Sequence, residues 1–382
     1  MNDRERRESL VDRIRSLEGL DEERFQRLTA ELDRPAGRFG YDEGGRLKVA
    51  LFDAKSYDIE SFERRNDGRF AIHPIEASLN EATAPAAEGH KVVCIFVNDT
   101  CDAKVVKALA ALGVELVALR CAGFNNVDLA ACRERGLSVV RVPEYSPYAV
   151  AEHTVGLMLM LNRGLHRAYE RNRAGYFVLE GLTGFDMRGK TVGVVGTGRI
   201  GRCTAAILLG FGCRVLAFDK YPNDEFGRRE GVEYVALERL WADSDIISLH
   251  VPLLPETHHL VNPSTIAQMK RGVMLINTSR GGLVDARALV EGLKSGKIGS
   301  AGLDVYEEEA GIFFHDMSGQ VLSDDVLARL MTFQNVVVTS HQAFLTHEAL
   351  RNIADTTLAS IAEFESGKRG AGLTHALPEG SS

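Results

Sequence analysis

Three short runs in the second half of the chain carry side chains suited to anion binding and proton transfer. They are Ile276-Asn-Thr-Ser-Arg280-Gly-Gly, Gly302-Leu-Asp304-Val-Tyr-Glu-Glu-Glu309 and Val338-Thr-Ser-His341-Gln-Ala-Phe344. Each has a plain structural explanation when taken singly. Arg280 could be a loop ion pair, Glu307–Glu309 a solvated acidic run, and His341 a satisfied, half-buried imidazole. Together they supply what hydride chemistry on a 2-oxo acid needs. A guanidinium forks onto carboxylate and carbonyl oxygens and stabilises charge developing there. A protonated imidazole delivers the proton, and a neighbouring carboxylate holds it oriented and favours its charged form. Ligands bind at the carboxyl ends of strands in a parallel sheet, so the three runs are expected to converge there.

A fourth run points to a cofactor. Thr191-Val-Gly-Val-Val195 reads as a strand that enters Gly196-Thr197-Gly198-Arg199-Ile200-Gly201 and then a helix. Gly196 permits a tight turn, Gly198 lets backbone approach a pyrophosphate, and Gly201 allows close helix–strand packing. The new helix offers unpaired N–H groups and a positive dipole end to the phosphates. Asp219 closes the next strand, 18 residues after Gly201. A carboxylate there binds a ribose 2′-OH and repels a 2′-phosphate, which favours NAD(H) over NADP(H), with Lys220 beside it as the one opposing charge.

These residues need a scaffold of strand ends. From Leu47 onward, β-branched runs alternate with helical patterns: 49–52, 92–97, 116–119, 139–142, 191–195, 215–218, 246–249, 273–276 and 336–339 are strand candidates. Helical periodicity covers 105–112, 149–167, 200–209, 286–293 and 347–365. Strands apolar on both faces and separated by helices predict an α/β protein with doubly wound parallel sheets. Pro143-Glu-Tyr-Ser-Pro147 marks one seam and the Gly-rich, aperiodic stretch 173–189 another. More than half of residues 1–34 are charged, with Leu10, Ile14 and Leu17 on one helical face and Phe25, Leu28 and Leu32 on another. That pattern predicts two short amphipathic helices joined at Gly19.

Composition narrows the class. Of 382 residues, 45 are basic and 53 acidic, a net charge of −8, which disfavours nucleic acid or an anionic membrane as the main partner. The six cysteines form no CxxC pair and mostly sit in apolar runs, as reduced thiols do. The apolar run at 155–161 is far shorter than the ~20 residues that span a bilayer, and no signal-like segment opens the chain. A soluble, cytoplasmic protein with no membrane partner is the expectation. No His/Cys/Asp cluster has metal-ligand spacing, and His258-His259, after Pro255, reads as a structural surface loop.

The longer motifs resemble the D-specific 2-hydroxyacid dehydrogenase family over about residues 46–366. They are Ala118-Leu-Arg-Cys-Ala-Gly-Phe-Asn-Asn-Val-Asp128, Gly196-Thr-Gly-Arg-Ile-Gly201, Ile247-Ser-Leu-His-Val-Pro252, Asn277-Thr-Ser-Arg-Gly281, Gly302-Leu-Asp-Val-Tyr-Glu307 and His341-Gln-Ala-Phe-Leu-Thr346. The fermentative D-lactate dehydrogenases are the most similar branch. The resemblance implies two Rossmann-like domains with the active site in the cleft: a discontinuous substrate domain at 46–147 and 342–368, and an NAD domain at 148–341. A charged extension at 1–45, which typical members lack, and a polar tail at 369–382 complete the chain.

By the same resemblance, Arg280 clamps the substrate, His341 is the acid/base, and Glu309, five residues after Asp304, is its carboxylate partner. The Cys121-Ala122-Gly123 turn holds the substrate carboxylate through backbone N–H groups, and Tyr145 and Phe344 line the pocket. Thr278 and Asp304 fall on the cofactor side. The implied reaction is NADH-dependent reduction of pyruvate to D-lactate by a homo-oligomer, a dimer or a tetramer. A dehydrogenase for a bulkier 2-oxo acid and a non-catalytic NAD-sensing co-repressor are the rival expectations.

Overall fold

The computed structural model describes residues 39–377. The two amphipathic helices expected before residue 33 lie outside the described residues. The chain divides into two compact units. One runs to Glu144 and resumes at Leu350, and the other is Tyr145–Ala349. The first break falls three residues before the expected 147/148 and the second eight residues after the expected 341/342.

The first unit holds a five-stranded parallel sheet in the order β2-β1-β3-β4-β5. Its strands are β1 (Lys48–Leu51), β2 (Ala71–Pro74), β3 (Val92–Ile95), β4 (Leu116–Leu119) and β5 (Ser138–Val140). Val49 pairs with Val92, Val92 with Leu116, and Leu116 with Ser138, so the apolar runs are stacked in register. All four residues of β3 and of β4 are buried, as strands covered on both faces must be. The segment expected as a polar tail also belongs here. Leu373 is buried, Ala376 bridges to Val140, and the Leu377 N–H donates to the Val139 carbonyl at 3.1 Å.

The second unit is a seven-stranded parallel sheet in the order β12-β11-β10-β9-β6-β7-β8. The strands are β6 (Thr191–Val195), β7 (Arg214–Phe218), β8 (Val232–Tyr234), β9 (Ile246–Leu249), β10 (Val273–Asn277), β11 (Ile298–Leu303) and β12 (Val336–Val338). Alternation along β10 feeds two cores: Val273 and Leu275 pack with Ile247 and Trp241, while Met274 and Ile276 pack with Val192 and Ala217. Truncating such a residue to Ala costs about 2–5 kcal/mol. The chain leaves β6 in both directions, toward β7 and β8 and later toward β9–β12, so the loop after β6 lies at a topological switch point.

Three strands escaped the sequence reading. β2 and β8 are short edge strands, one ending in His-Pro and the other only Val-Glu-Tyr. β11, Ile-Gly-Ser-Ala-Gly-Leu, has two glycines and no β-branched run, yet it is an interior strand, paired with β10 and β12. A methyl group on its Gly302 would press on Ile276 and Leu157. Tight packing, not propensity, selects glycine in that strand. The helix expected over 149–167 is two helices, Pro147–Asn162 and Leu165–Arg173, because Gly164 between them turns left-handed at φ +55°.

Candidate active site

β10, β11 and β12 are neighbours in the sheet, and the three chemistry-bearing runs leave their carboxyl ends side by side. After β10, Asn277 closes a tight turn. Its Nδ2 donates to the Arg280 carbonyl at 2.8 Å, and its Oδ1 accepts from the Ser279 N–H at 3.1 Å. Ser279 Oγ donates to the Leu249 carbonyl at 2.8 Å, which ties the turn to β9. Any side chain at Gly281 would fall on the Tyr306 carbonyl group. The Arg280 turn is therefore pressed against the backbone of 306–307. The Arg280 guanidinium donates to the Ser279 carbonyl at 2.7 Å and is partly exposed.

The candidate acid–base pair, His341 and Glu309, lies beside that turn. His341 Nδ1 is 2.9 Å from Glu309 Oε1, and Glu309 Oε2 accepts from the Tyr306 N–H at 3.0 Å. The bond to Nδ1 fixes the ring's orientation and leaves Nε2 for chemistry. Phe314 covers the imidazole, with ring centroids 5.9 Å apart. Ser340 and His341 both adopt left-handed backbone, at φ +49° and +57°. Such residues cost on the order of 1–3 kcal/mol each and persist only where their surroundings over-determine them.

Asp304 supplies that over-determination. Its carboxylate is buried and accepts from Thr339 Oγ1 at 2.7 Å, Gln342 N–H at 2.8 Å and Ala343 N–H at 3.0 Å, while its carbonyl accepts from the His341 N–H at 2.5 Å. Burial alone would raise its pKa. Hydrogen bonds from His153 and Thr339, with the nearby His341 ring and the Ala343 N–H, carry it below the ordinary Asp value. Its observed work is to hold the loop that presents His341. His153 takes part through Nε2, which is 3.0 Å from Thr339 Oγ1 and 3.4 Å from Asp304 Oδ1. Sequence reasoning missed His153, which sits mid-helix 151 residues before Asp304 and carries no local signal.

The glycine run forms the expected strand–turn–helix. Gly196 has φ +96°, and a Cβ there would lie 2.6 Å from the His250 carbonyl oxygen. A Cβ at Gly201 would fall on the Gly196 carbonyl, whereas one at Gly198 would meet nothing within 4 Å. Gly198 is the N-cap of the helix Arg199–Gly210 and provides no side-chain cap, unlike Asp102, Asp285 and Asp324 on their helices. Open space before an uncapped helix N-terminus fits a pyrophosphate.

Asp219 closes over this loop, accepting from the Thr197 N–H at 2.6 Å and Thr197 Oγ1 at 3.0 Å. The Lys220 ammonium pairs with Glu256 at 3.4 Å. Arg199 and Ile200 are the first two residues of the helix, and Thr278 Oγ1 is 2.8 Å from Thr154 Oγ1. Within the same unit, Tyr145 and Phe344 meet edge to face, with centroids 6.3 Å apart.

In the other unit, Ala122 and Gly123 follow β4 at its carboxyl end. Arg141 donates to the Ala122 carbonyl at 2.8 Å, and Cys121 Sγ lies 3.3 Å from the Gly123 carbonyl oxygen. The His258-His259 pair, read from sequence as a structural surface loop, is met by Glu307 from far along the chain: His259 Nε2 bonds Glu307 Oε1, and His258 Nε2 lies 4.0 Å from the same oxygen. Sequence spacing carries no trace of that cluster.

The fold and this site define a dinucleotide-dependent oxidoreductase of the α/β class. Residues 155–343 match the family described as D-isomer specific 2-hydroxyacid dehydrogenase, NAD binding domain. The chain is 52% identical over 323 residues to D-lactate dehydrogenase of Escherichia coli K12, covering 84% of this chain and 98% of that one. The apo-structure of D-lactate dehydrogenase from Escherichia coli superposes with a TM-score of 0.78 at 49% identity, covering 87% of this chain and 100% of that one. A structure described as the pyruvate reductase of Chlamydomonas reinhardtii gives a TM-score of 0.79 at 47% identity, covering 86% and 98%. The chain belongs to the D-isomer specific 2-hydroxyacid dehydrogenases. It is an NAD-dependent enzyme acting on a small 2-hydroxy or 2-oxo acid. Among the described residues no helix is long and apolar enough to cross a membrane.

Proposed function

We infer that the chain reduces pyruvate to D-lactate, with His341 as acid/base, Glu309 as its orienting carboxylate and Arg280 as the substrate clamp. The observation that carries this reading is the 2.9 Å His341–Glu309 pair at the carboxyl end of the sheet that bears the glycine loop. Similarity to a D-lactate dehydrogenase and a pyruvate reductase supports the substrate. Bound NADH would supply the hydride for C2 of the 2-oxo acid.

Arg280 pairs with the substrate's oxygens and stabilises charge that builds on the carbonyl oxygen. His341 gives its Nε2 proton to that oxygen and, in the reverse direction, takes it back. Glu309 holds the ring through Nδ1 and stabilises the imidazolium. Backbone N–H groups of the Ala122–Gly123 turn hold the substrate carboxylate, and Tyr145 and Phe344 limit the space at C3. Gly196, Gly198 and Gly201 would make room for the dinucleotide, Asp219 would take a ribose hydroxyl, and Thr278 and Asp304 would serve on the cofactor side.

We add a homo-oligomer and a cytoplasmic setting to this reading. Exposed Tyr169, Tyr176, Phe177 and Leu179, close together along the chain, support the first. Six cysteines without a disulfide support the second. The test is kcat/KM for pyruvate against phenylpyruvate with NADH, with the chirality of the product determined. The expected outcome is a preference for pyruvate and a D product. A preference for phenylpyruvate would reassign the substrate, and no turnover of either despite NADH binding would overturn the pyruvate assignment.

A further inference from the structure

We propose that His258, His259 and Glu307 form a binding site for a divalent transition-metal cation of the zinc class, outside the catalytic machinery. Two imidazoles and one carboxylate come together here, and their three potential ligand atoms all lie within 4.8 Å of one another. In a tetrahedral zinc site with bonds of about 2.0–2.2 Å, ligand atoms stand roughly 3.4 Å apart. His258 Nε2, now 4.0 Å from Glu307 Oε1, needs to move inward by about half an ångström to reach that spacing. His259 Nε2, now hydrogen-bonded to the same oxygen, needs to move outward. The two rings already stack at 3.9 Å between centroids with a 25° tilt, so a small rotation turns both Nε2 lone pairs toward one point.

The backbone around these ligands is fixed independently of any cation. The His259 N–H donates to the Gly282 carbonyl at 2.8 Å and the Val261 N–H to the Leu283 carbonyl at 2.9 Å, pinning the histidine segment along the turn that follows Arg280. Asn262 Nδ2 donates to the His259 carbonyl at 2.9 Å. His259 itself is left-handed at φ +50°, a conformation that non-glycine residues adopt only where the surroundings enforce it. Glu307 arrives from the opposite side, its backbone packed on Gly281. The histidine segment and the Glu307 segment thus face each other across a single glycine turn.

The donor set selects the ion. Two neutral imidazoles with one carboxylate suit zinc and its transition-metal neighbours, whereas magnesium and calcium demand mostly oxygen. The His258 side chain is half exposed, at 54%, which gives the ion an entry path and leaves water for the remaining coordination position. A bound ion would link the histidine segment to the 306–309 segment in place of a single hydrogen bond.

The experiment is isothermal titration of the metal-stripped full-length protein with zinc, alongside His258→Ala and Glu307→Gln. His258 is exposed enough that its truncation leaves the fold intact, and unchanged circular dichroism and melting without metal verify this for both variants. Cobalt(II) titrated in parallel reports nitrogen–oxygen coordination through its visible absorption. The expected result is one zinc per chain in the wild type, with affinity lowered at least tenfold in each variant and the cobalt bands lost. Absence of binding to the wild type would overturn the site. So would equal stoichiometry and affinity in all three proteins, because the ion would then sit elsewhere, such as on the free thiols.

Discussion

Glu309 spans two partners, with one carboxylate oxygen 2.9 Å from His341 Nδ1 and the other accepting the Tyr306 N–H at 3.0 Å. The carboxylate is therefore held by backbone as well as by the ring it orients. Glu309→Gln keeps the shape and removes the charge that favours the imidazolium, so the alkaline limb of the reductive pH profile should move toward acid while the oxidative profile gains at low pH. His341→Ala should lower turnover by on the order of 10²–10⁴. Paired pH–rate profiles in both directions check this, and an unmoved reductive profile in Glu309→Gln would separate the two residues.

The glycine loop allows a sharper contrast. Gly201→Ala places a methyl group on the Gly196 carbonyl and should destabilise the fold by about 1–3 kcal/mol or more. Gly198→Ala meets no protein atom within 4 Å, so it should melt like the wild type and yet bind NADH at least tenfold more weakly. Thermal melting with NADH fluorescence titration distinguishes the two. Normal NADH affinity in Gly198→Ala would mean that the pyrophosphate does not approach this backbone.

Asp219 should govern the choice of dinucleotide. In the proposed reading its carboxylate is the group that a 2′-phosphate would have to face, and Lys220 is already paired with Glu256. Asp219→Ser should narrow the NADH/NADPH ratio of kcat/KM by at least tenfold. Part of the change will be a loss with NADH, since Thr197 loses its two bonds to Asp219. Steady-state kinetics with both cofactors measure the ratio, which would stay constant if discrimination lay elsewhere.

His250 should make the protein acid-sensitive. Burial pushes its pKa down from 6.5 to about 4, and its Nδ1 is buried without a partner among the described residues. Between those values the unfolded chain binds a proton that the folded chain refuses, so stability falls as pH drops from about 7 toward 4. The effect is on the order of 1–3 kcal/mol. Urea midpoints across that range should fall less steeply in His250→Gln than in the wild type, and parallel slopes would place the sensitivity in other groups.

What the sequence revealed and what it hid divide along a physical line. Gly196, Gly201 and Asp219 were legible because turn geometry and charge act within a few residues of the chain. Arg280 and His341 were legible because each follows a strand candidate, while Glu309 was singled out among three adjacent glutamates only by resemblance; the sheet order brings β10, β11 and β12 together. β11 was not legible, because its glycines answer to neighbours such as Leu157 and Ile276 that only the fold supplies. His153 and the meeting of His258-His259 with Glu307 stayed hidden for the same reason. Hydrogen bonds between side chains far apart in sequence leave no periodicity to read.

The discontinuity of the first unit has a consequence for how the protein is made. Its β5 edge is completed by Ala376 and Leu377, and Glu115 is paired with Arg369 at 3.0 Å, so its last pieces emerge after the whole second unit. At synthesis rates of about 5–20 residues per second, strands β1–β5 wait tens of seconds for their closing segment. During that interval the exposed edge of β5 invites pairing with another nascent chain. Assistance from a chaperone on the ribosome would therefore matter most for the part of the enzyme that is translated first.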